Sequence, residues 1–380
     1  MANDKNEIKV LVVDDSAFMR KIIQDILSSD NEIKVISTAR NGKEALEKVK
    51  SLKPDVITLD VEMPEVDGLS CLKEINKITD IPVIMLSGLT REGADLTIRA
   101  LESGAIDFIT KPVNLFSLAG EEKKKELIEK IKMAYRTENK TKQPPLQTPV
   151  VEVKPQNNFK PINNLLKPLN KSTSTYKGTL NIVAIGTSTG GPRALQSVIP
   201  FIPEGIPAAI LIVQHMPPNF TKSLADRLND MSKINVKEAE EGDILVAGTA
   251  YIAPGDFHMR VNKQKNGTYV IKLDKEPPVG GHRPSVNVMM NSLSATGING
   301  NVVGVIMTGM GSDGSDGLVM LKNKNKAFTI AQDEKSCVVY GMPKSAFLTG
   351  AVDVVVPLND IYNEILKHME VRKNGFEPIS

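Results

Sequence analysis

A serine inside a glycine-rich run is the feature of this sequence best suited to chemistry. Residues 186–191 read Gly-Thr-Ser-Thr-Gly-Gly, place Ser188 near their centre and directly follow an apolar segment. A strand that turns sharply into a helix there would expose the Ser188 hydroxyl beside free helix N–H groups, which stabilise developing negative charge. Turns of this kind also bind phosphates and dinucleotides. The run has neither the G-x-G-x-x-G spacing nor the Lys-Ser/Thr end of a Walker A loop, so by itself it fits a nucleophile and a phosphate-binding turn equally.

A serine nucleophile needs a base that takes its proton and a third group that orients the base. The chain has four histidines, and His215 follows the apolar run 208–213, so it should reach the same sheet edge as Ser188. The other three lie in a loop that could line the cleft, on a short predicted strand and in the charged terminal helix: His282, His258 and His368. A histidine is more often a structural hydrogen-bonding residue, but its position favours His215 as the base.

The orienting acid is predicted in the glycine-rich loop after a later parallel strand. Residues 308–314 read Thr-Gly-Met-Gly-Ser-Asp-Gly, which places Asp313 at the same edge. Asp313 could instead cap a turn or a helix, a role that Asp316 would fill equally well. The order Ser, His, Asp differs from the orders found in α/β-hydrolases, chymotrypsin and subtilisin, so the pattern indicates a separate, convergent triad.

A second group of reactive side chains lies in the first third of the chain. They stand at the carboxyl ends of four predicted strands: Asp14, Asp15, Asp60, Ser87 and Lys111. Because ligands bind at that edge of an open α/β sheet, these residues should converge. Clustered carboxylates need a cation, for which Mg²⁺ is suited, and Lys111 and Ser87 would contact a phosphoryl group. Any one acid could merely cap a helix or a turn, but convergence at four strand ends favours a site.

Alternating apolar and amphipathic segments predict the elements that position these side chains. The first domain has helical spacing at 72–78 and 121–135 and five short apolar runs, at 8–13, 33–37, 56–59, 83–86 and 106–109. Runs this short and apolar are buried on both faces, which indicates a parallel sheet with helices between the strands. Residues 137–177 are rich in Pro, Asn, Lys, Ser and Thr and predict a semi-extended linker.

The alternation resumes at residue 180 and predicts a second, doubly wound and mainly parallel α/β domain. Its strand-like runs are 180–185, 208–213, 302–307 and 327–330. Three further runs, 250–253, 258–261 and 269–273, are interpreted as an antiparallel hairpin insertion, since Asn266-Gly267 is a hairpin turn signal. The predicted boundaries are 7–134 for the first domain, 135–178 for a flexible linker and 179–372 for the second domain.

Composition and charge narrow the class of protein. A length of 380 residues suggests two domains. The 47 basic and 45 acidic residues leave a net charge of +2, which gives no strong attraction to nucleic acid or to anionic lipid. Cys71 and Cys337 make neither a disulfide framework nor a zinc site and favour a reducing compartment. Without an apolar signal segment or a membrane-spanning run, we expect a cytoplasmic protein with no nucleic-acid partner and no direct membrane insertion.

The acidic group resembles the site of the receiver domains of two-component response regulators. The resemblance covers about residues 7–134 and includes Asp60-Val61-Glu62-Met63-Pro64 and Asp67-Gly68. It implies a flavodoxin-like (βα)5 fold in which Asp60 takes a phosphoryl group from a chemotaxis histidine kinase. It also implies Mg²⁺ ligands and phosphoryl contacts: Asp14, Asp15, Asp60 and the Glu62 backbone carbonyl for the metal, and Ser87 and Lys111 for the phosphoryl group.

Two interpretations are possible for Phe108, an aromatic residue of this domain. Phe108 stands where receiver domains place an aromatic switch residue. A ring at the end of a strand is also commonly an ordinary core residue, so the two interpretations are equally supported by the sequence.

The second domain resembles the catalytic domain of the chemotaxis protein-glutamate methylesterases over about residues 179–372. The segments that carry the resemblance are 186–191, 214–217, 253–255, 282–286 and 308–314. Thr187 stands where an alanine is expected before the nucleophile, a small change that leaves the turn possible. The resemblance implies a triad of Ser188, His215 and Asp313, and an oxyanion contact from the backbone N–H of Met310.

The same resemblance implies an activity and its partners. The substrate would be a glutamate γ-methyl ester on the helical signalling region of a chemoreceptor, hydrolysed to release methanol without a cofactor, as in bacterial-type chemotaxis adaptation. Deamidation of receptor glutamines is a further family activity. Since a linker of about 40 residues permits docking, we expect the unphosphorylated receiver domain to cover the Ser188 cleft.

Two other functions of the second domain are compatible with parts of the sequence. It could bind a partner or nucleic acid without catalysis, although residues 179–380 show no helix-turn-helix or basic stripe. It could also bind a nucleotide through its glycine-rich turn.

Overall fold

Short strands buried on both faces build the first domain of this computed structural model, which describes residues 7–64, 66–111, 118–141 and 179–369. The strands are β1 (Ile8–Val13), β2 (Ile33–Ala39), β3 (Val56–Asp60), β4 (Val83–Ser87) and β5 (Asp107–Thr110). They form one parallel sheet in the order β2-β1-β3-β4-β5, and β3, β4 and β5 are buried at every position. This is the flavodoxin-like order, as predicted.

Five helices cover this sheet: α1 (Ala17–Leu27), α2 (Gly42–Leu52), α3 (Gly68–Ile78), α4 (Arg91–Glu102) and α5 (Leu118–Thr141). The first four begin at side chains that accept a hydrogen bond from the free N–H three residues later: Ser16, Asn41, Asp67 and Thr90. Helix α5 continues past Ala134, the predicted end of the domain. Most of the predicted linker, residues 142–178, lies outside the described residues.

The second domain contains a larger parallel sheet. Its strands are β6 (Asn181–Thr187), β7 (Ala208–Gln214), β8 (Asn235–Glu238), β9 (Thr249–Ile252), β12 (Val302–Ile306), β13 (Phe328–Gln332) and β14 (Val354–Val356). Their order is β14-β13-β12-β6-β7-β9-β8, and all neighbours are parallel. Strands β10 (His258–Lys263) and β11 (Tyr269–Asp274) form the predicted antiparallel hairpin, closed at Gly267 with φ +87°.

One predicted strand is misplaced and two were missed. The run 250–253 was assigned to the antiparallel insertion, but it lies in β9, hydrogen-bonded in parallel between β7 and β8. Its four residues are all buried, as in a strand inside a sheet. Strand β8 carries mostly polar residues and β14 has three residues, so neither gives a clear apolar run.

Six helices and two short 3₁₀ helices complete the second domain. The helices are α6 (Gly191–Gln196), α7 (Phe220–Met231), α8 (Val286–Ala295), α9 (Ser315–Asn325), α10 (Met342–Leu348) and α11 (Ile361–His368). The 3₁₀ helices are Ile199–Phe201 and Leu358–Asp360. The charged terminal helix suggested a solvated His368, but its ring stacks on Phe328 at 3.4 Å between centroids. Within the described ranges, every helix is too short or too polar to cross a bilayer.

The two domains are in direct contact. Helix α4 of the first domain packs against α6 and α7 of the second. The ring of Phe108, in β5, stacks on that of Phe220 at the start of α7, with centroids 4.6 Å apart and planes 14° from parallel. The Glu102 carboxylate accepts hydrogen bonds from Arg227 Nε at 2.6 Å and Gln196 Nε2 at 2.8 Å. Phe108 is therefore a buried residue of the domain interface.

Candidate active site and phosphoacceptor site

The ends of three neighbouring strands bring the predicted triad to one edge of the second sheet. Strand β6 pairs with β7 so that Thr187 lies beside Gln214, and Ser188 and His215 are the residues that follow them. The His215 N–H donates to the Thr187 carbonyl at 3.2 Å. On the other side of β6, the Ser188 N–H donates to the carbonyl of Thr308, just after β12, at 3.0 Å.

The Gln214 side chain ties the serine loop to the histidine loop. Its Nε2 atom donates to the Ser188 carbonyl at 2.9 Å and to the His215 carbonyl at 3.2 Å. Packing on the opposite side is equally close, because a Cβ at Gly309 would lie 2.8 Å from the Ser188 Cβ. These contacts fix the backbone of Ser188 between its two neighbouring loops.

His215 and Asp313 form the closest side-chain pair of the site. His215 Nε2 and Asp313 Oδ2 are 2.8 Å apart, and both side chains are buried. Because a carboxylate only accepts, the Nε2 atom carries the proton of this bond. The lone pair of a neutral His215 then lies on Nδ1, a buried atom without a hydrogen-bond partner among the described residues.

The Asp313 carboxylate is held by the beginning of helix α8. Its Oδ1 atom accepts from Ser285 Oγ at 2.9 Å and from the Asn287 N–H at 3.0 Å, and its Oδ2 atom accepts from the Val286 N–H at 2.7 Å. Burial alone would raise the pKa of Asp313, but the bonds from His215 and the backbone N–H groups bring that pKa below its ordinary value. Asp313 is therefore an ionised, fixed acceptor.

Asp313 does not cap helix α9. The N-cap of α9 is Gly314, and no side chain caps that helix. The Asn287 side chain supports the loop instead, since its Oδ1 atom accepts from the N–H groups of Gly314 and Gly317 at 3.0 and 2.8 Å.

His282 lies directly against the predicted base. Its ring is stacked on that of His215, with centroids 3.8 Å apart and planes 11° from parallel. Burial and the neighbouring His215 lower the pKa of His282 to about 4, so it is neutral at ordinary pH. His258 has a different partner: its Nε2 atom hydrogen-bonds to the Pro277 carbonyl at 3.1 Å.

Ser188 and Met310 supply groups that remain available to a ligand. Ser188 is partly exposed, and its hydroxyl makes no hydrogen bond to any described residue, His215 included. The Met310 N–H likewise has no acceptor among the residues that the structure describes. The adjoining Gly311 has a φ of +81°, a conformation that favours glycine.

The acidic group of the first domain also converges as predicted. One oxygen from each of Asp14, Asp15 and Asp60 lies within 4.8 Å of the others. Lys111 Nζ is 3.0 Å from Asp14 Oδ2 and 2.6 Å from Asp60 Oδ2. One ammonium group cannot neutralise three carboxylates, and oxygen ligands at this spacing suit Mg²⁺.

Burial dominates the electrostatics of Asp60. It raises the pKa of Asp60 to about 6, with a further rise from Asp14 and an opposing effect from Lys111. The Glu62 N–H donates to Asp60 Oδ1 at 3.2 Å. The Ser87 hydroxyl is buried and lies 3.1 and 3.2 Å from the carbonyls of Gly88 and Gly93, so in this structure it points into the protein.

Comparison with known proteins connects this geometry to a family. A model of the CheB methylesterase family matches residues 183–365, and a model of the response regulator receiver domain matches residues 10–120. A protein-glutamate methylesterase/protein-glutamine glutaminase of Pyrococcus horikoshii is 48% identical over 97% of this chain and 95% of its own length. The chain belongs to that family. Relatives of the same name from Syntrophomonas wolfei and Halalkalibacterium halodurans are each 47% identical, over 94% and 96% of this chain.

Membership of the methylesterase family makes the second domain a hydrolase and the first a response-regulator receiver. A receiver domain implies control by phosphorylation, and the cluster of aspartates fits it. The predicted fold class and the predicted enzyme class are thereby confirmed.

Several residues that shape this methylesterase site were not singled out from the sequence. Ser285 and Asn287 hold the acid and its loop, and Gln214 joins the serine and histidine loops. The only sequence signal was that Gln214 and Ser285 lie inside the motif segments and that Asn287 directly follows one of them, because polar residues next to a strand or helix end are common. Their roles depend on which backbone groups the fold places beside them.

Receiver side chains reach the active-site edge of this methylesterase. Asp107 Oδ2 accepts a hydrogen bond from the hydroxyl of Thr189, the residue after Ser188, at 2.8 Å. The carboxylate of Glu126, in α5, is near enough to His282 to favour its charged form. The receiver domain therefore lies over the part of the catalytic domain that contains Ser188.

Proposed function

We propose that this chain hydrolyses glutamate γ-methyl esters on the helical signalling regions of chemoreceptors and releases methanol. The observation that carries the proposal is the His215–Asp313 pair beside the Ser188 loop, together with family membership. Ester and amide hydrolysis pass through similar tetrahedral intermediates, so we also assign deamidation of receptor glutamines to the same site. We place the reaction in the cytoplasm, as a step of chemotaxis adaptation.

The three side chains divide the work as in other serine hydrolases. The Ser188 hydroxyl attacks the ester carbonyl while His215 takes its proton, and methanol leaves when His215 returns that proton. Water then attacks the acyl-enzyme with the same assistance. Because Nε2 is bonded to Asp313, Nδ1 is the atom assigned as the base. Ser188 and His215 form their hydrogen bond only with substrate present, as is common for catalytic contacts.

The oxyanion formed on the substrate needs donors that are already in place. We assign this role to the Met310 N–H, which has no competing acceptor within the described residues. Gly309 packs against Ser188, so the Met310 loop adjoins the nucleophile. A neutral His282 stacked on His215 keeps a second positive charge away from the base when it becomes protonated.

Methanol release from methylated receptor tests this function. Ser188→Ala should abolish release, and Asp313→Asn should lower kcat by about 10³- to 10⁴-fold, because an amide cannot hold His215 in the same tautomer. Asp316→Asn is the matched control, since Asp316 is exposed in the first turn of α9. Full methanol release by Ser188→Ala would contradict the proposal.

We assign Asp60 as the phosphoacceptor, with a chemotaxis histidine kinase as its donor. Asp14, Asp15, Asp60 and the Glu62 carbonyl would hold Mg²⁺, which neutralises the charge of the carboxylates and the phosphoryl group when bound. Lys111 provides a fixed positive charge for that group. Ser87 would contact the phosphoryl group after its hydroxyl turns away from the Gly88 and Gly93 carbonyls.

Phosphorylation of Asp60 is proposed to release the docked receiver domain from the Ser188 cleft. The contacts of Phe108, Glu102 and Asp107 with the catalytic domain support this, because they describe a docked form. A small phosphodonor with Mg²⁺ should raise the rate of methanol release in the wild type and leave Asp60→Asn unchanged. Equal rates for the two proteins, with and without the donor, would contradict this regulation.

A further inference from the structure

Thr189, the residue after the predicted nucleophile, has a hydroxyl whose partner comes from outside its domain. Its Oγ1 atom donates to Asp107 Oδ2 in the receiver domain at 2.8 Å. Within the described residues, the structure gives this hydroxyl no other hydrogen-bond partner, and Thr189 is 5% exposed. When the receiver domain leaves, the hydroxyl has no acceptor in its own domain.

The backbone around Thr189 is held in place by the catalytic domain itself. The Thr189 carbonyl accepts from Thr308 Oγ1 at 2.9 Å. The next residue, Gly190, has a φ of +76°, and a Cβ there would lie 2.6 Å from the Val338 Cβ. The Thr189 hydroxyl is therefore presented from a fixed loop, one residue from Ser188.

Asp107 is equally well fixed on the receiver side. Its Oδ1 atom accepts from the Phe108 N–H at 2.8 Å, and its Oδ2 atom is 3.2 Å from Lys130 Nζ. Lys130 also donates to the Phe108 carbonyl at 2.5 Å and pairs with Glu126 at 3.2 Å. Burial disfavours the charge of Lys130, but Asp107 and Glu126 raise its pKa above the ordinary value. A carboxylate paired with Lys130 thus faces Thr189.

We infer that the Thr189 hydroxyl contacts the substrate in the open enzyme and that Asp107 takes the substrate's place in the docked chain. The inference rests on the proposed function and deepens it. A carboxylate is the group that the reaction produces from the glutamyl ester, so Asp107 resembles the product side chain. In the open enzyme, the Thr189 hydroxyl that was bonded to Asp107 donates instead to an oxygen atom of the substrate's glutamyl side chain.

Two linked effects follow from this arrangement. Removing the Asp107 carboxylate frees Thr189 and weakens docking, which should raise the methanol-release rate of the unphosphorylated chain several-fold. Removing the Thr189 hydroxyl should lower kcat/KM of the open enzyme by about tenfold, the usual effect of losing one hydrogen bond. A residue that served docking alone would show the first effect without the second.

The test compares variants of the full chain on methylated receptor, without a phosphodonor. Asp107→Ala should release methanol faster than the wild type. Asp30→Ala is the matched control, because Asp30 pairs with Lys132 of the same helix α5 at 2.8 Å and has no contact with Thr189. Thr189→Val in the Asp107→Ala chain should lose about tenfold in kcat/KM, and Thr189→Ser in that chain should restore it.

Two outcomes decide the inference. An Asp107→Ala rate equal to that of Asp30→Ala overturns it, and Asp107→Leu, which has no acceptor for the Thr189 hydroxyl either, supplies the same comparison if the alanine variant does not fold. Equal kcat/KM for Thr189→Val and Thr189→Ser, both in the Asp107→Ala chain, also overturns it. Ser188→Ala, measured beside them, separates this failure from that of the proposed function, because it should be inactive in either case.

Discussion

At the scale of single residues, burial of the Asp60 carboxylate makes its ionised form unfavourable in the folded receiver domain. The side chain is 1% exposed, and its burial raises its pKa to about 6 from an ordinary value of 3.8. Lys111 offsets part of this cost, while Asp14 adds to it. The ionised form of Asp60 therefore destabilises the folded receiver domain.

The consequence for stability has a definite sign. The folded state binds the Asp60 proton more tightly than the unfolded state does, so between pH 4 and pH 6 stability decreases as the pH rises. A shift from 3.8 to about 6 corresponds to a loss of up to about 3 kcal/mol. Asp60→Asn, which carries no charge, should thus match the wild type near pH 4 and be more stable at pH 7, without Mg²⁺.

Thermal unfolding of the full chain in a chelating buffer, from pH 4 to pH 7.5, measures this difference. Asp25→Asn is the control, since Asp25 is an exposed carboxylate on α1. Adding Mg²⁺ should stabilise the wild type more than Asp60→Asn. If the difference in stability between Asp60→Asn and wild type stays constant over this pH range, the raised pKa of Asp60 is contradicted.

The same scale shows what a sequence can indicate about a site. Ser188, His215 and Asp313 were predicted because each has a reactive side chain at a strand end, and strand ends converge in a parallel sheet. The use of His215 Nε2 toward Asp313 was not predictable, because ring orientation depends on packing against His282 and on the N–H groups of α8. These are properties of the assembled fold.

At the scale of elements, helix α7 connects the base to the domain interface. Its first residue, Phe220, stacks on Phe108 and follows the loop that begins at His215. Asn219, in that loop, donates from Nδ2 to the Leu89 carbonyl, two residues after Ser87, at 2.9 Å. This hydrogen bond therefore links the loop after β4 to the loop that precedes α7.

Helix α4 contributes Glu102, which forms an ion pair with Arg227 of α7 across the domain interface. Glu102 accepts from Arg227 Nε and Nη2 at 2.6 and 3.1 Å, and from Gln196. A partly exposed pair is worth at most about 1 kcal/mol, so Glu102→Gln should raise the basal methanol-release rate by up to about fivefold. Glu74→Gln removes an exposed Lys77 pair on α3 and should leave that rate unchanged. Equal basal rates for the two variants would exclude a role of Glu102 in docking.

The elements themselves follow from hydrophobic pattern more closely in one domain than in the other. All five receiver strands lie within a few residues of their predicted positions, because each is an apolar run between polar helices. In the catalytic domain, β9 was placed in the hairpin, since a short apolar run near an Asn-Gly turn has no local signal for its partner strand. Its parallel pairing with β7 and β8 is set by tertiary packing.

At the scale of the whole molecule, one hydrophobic core extends through both domains. It includes Ala94, Ile98 and Phe108 of the receiver domain together with Leu195, Phe220 and Leu224 of the catalytic domain. The domains therefore stabilise each other while docked, and separation exposes apolar surface on both. In the proposed regulation, docking is strong enough to cover Ser188 and weak enough for phosphorylation of Asp60 to reverse it.

Hydrogen exchange measures that balance directly. With a small phosphodonor and Mg²⁺, the amides of α4 and α7 should exchange faster together, because both helices lose the partner that limits their opening. Helix α2, which packs on α3 and on strands of its own domain, and helix α9 are the controls in the two domains and should not change. Asp60→Asn should show no response in any of the four helices. Faster exchange in α4 without any change in α7 would place the effect of phosphorylation inside the receiver domain and contradict release by undocking.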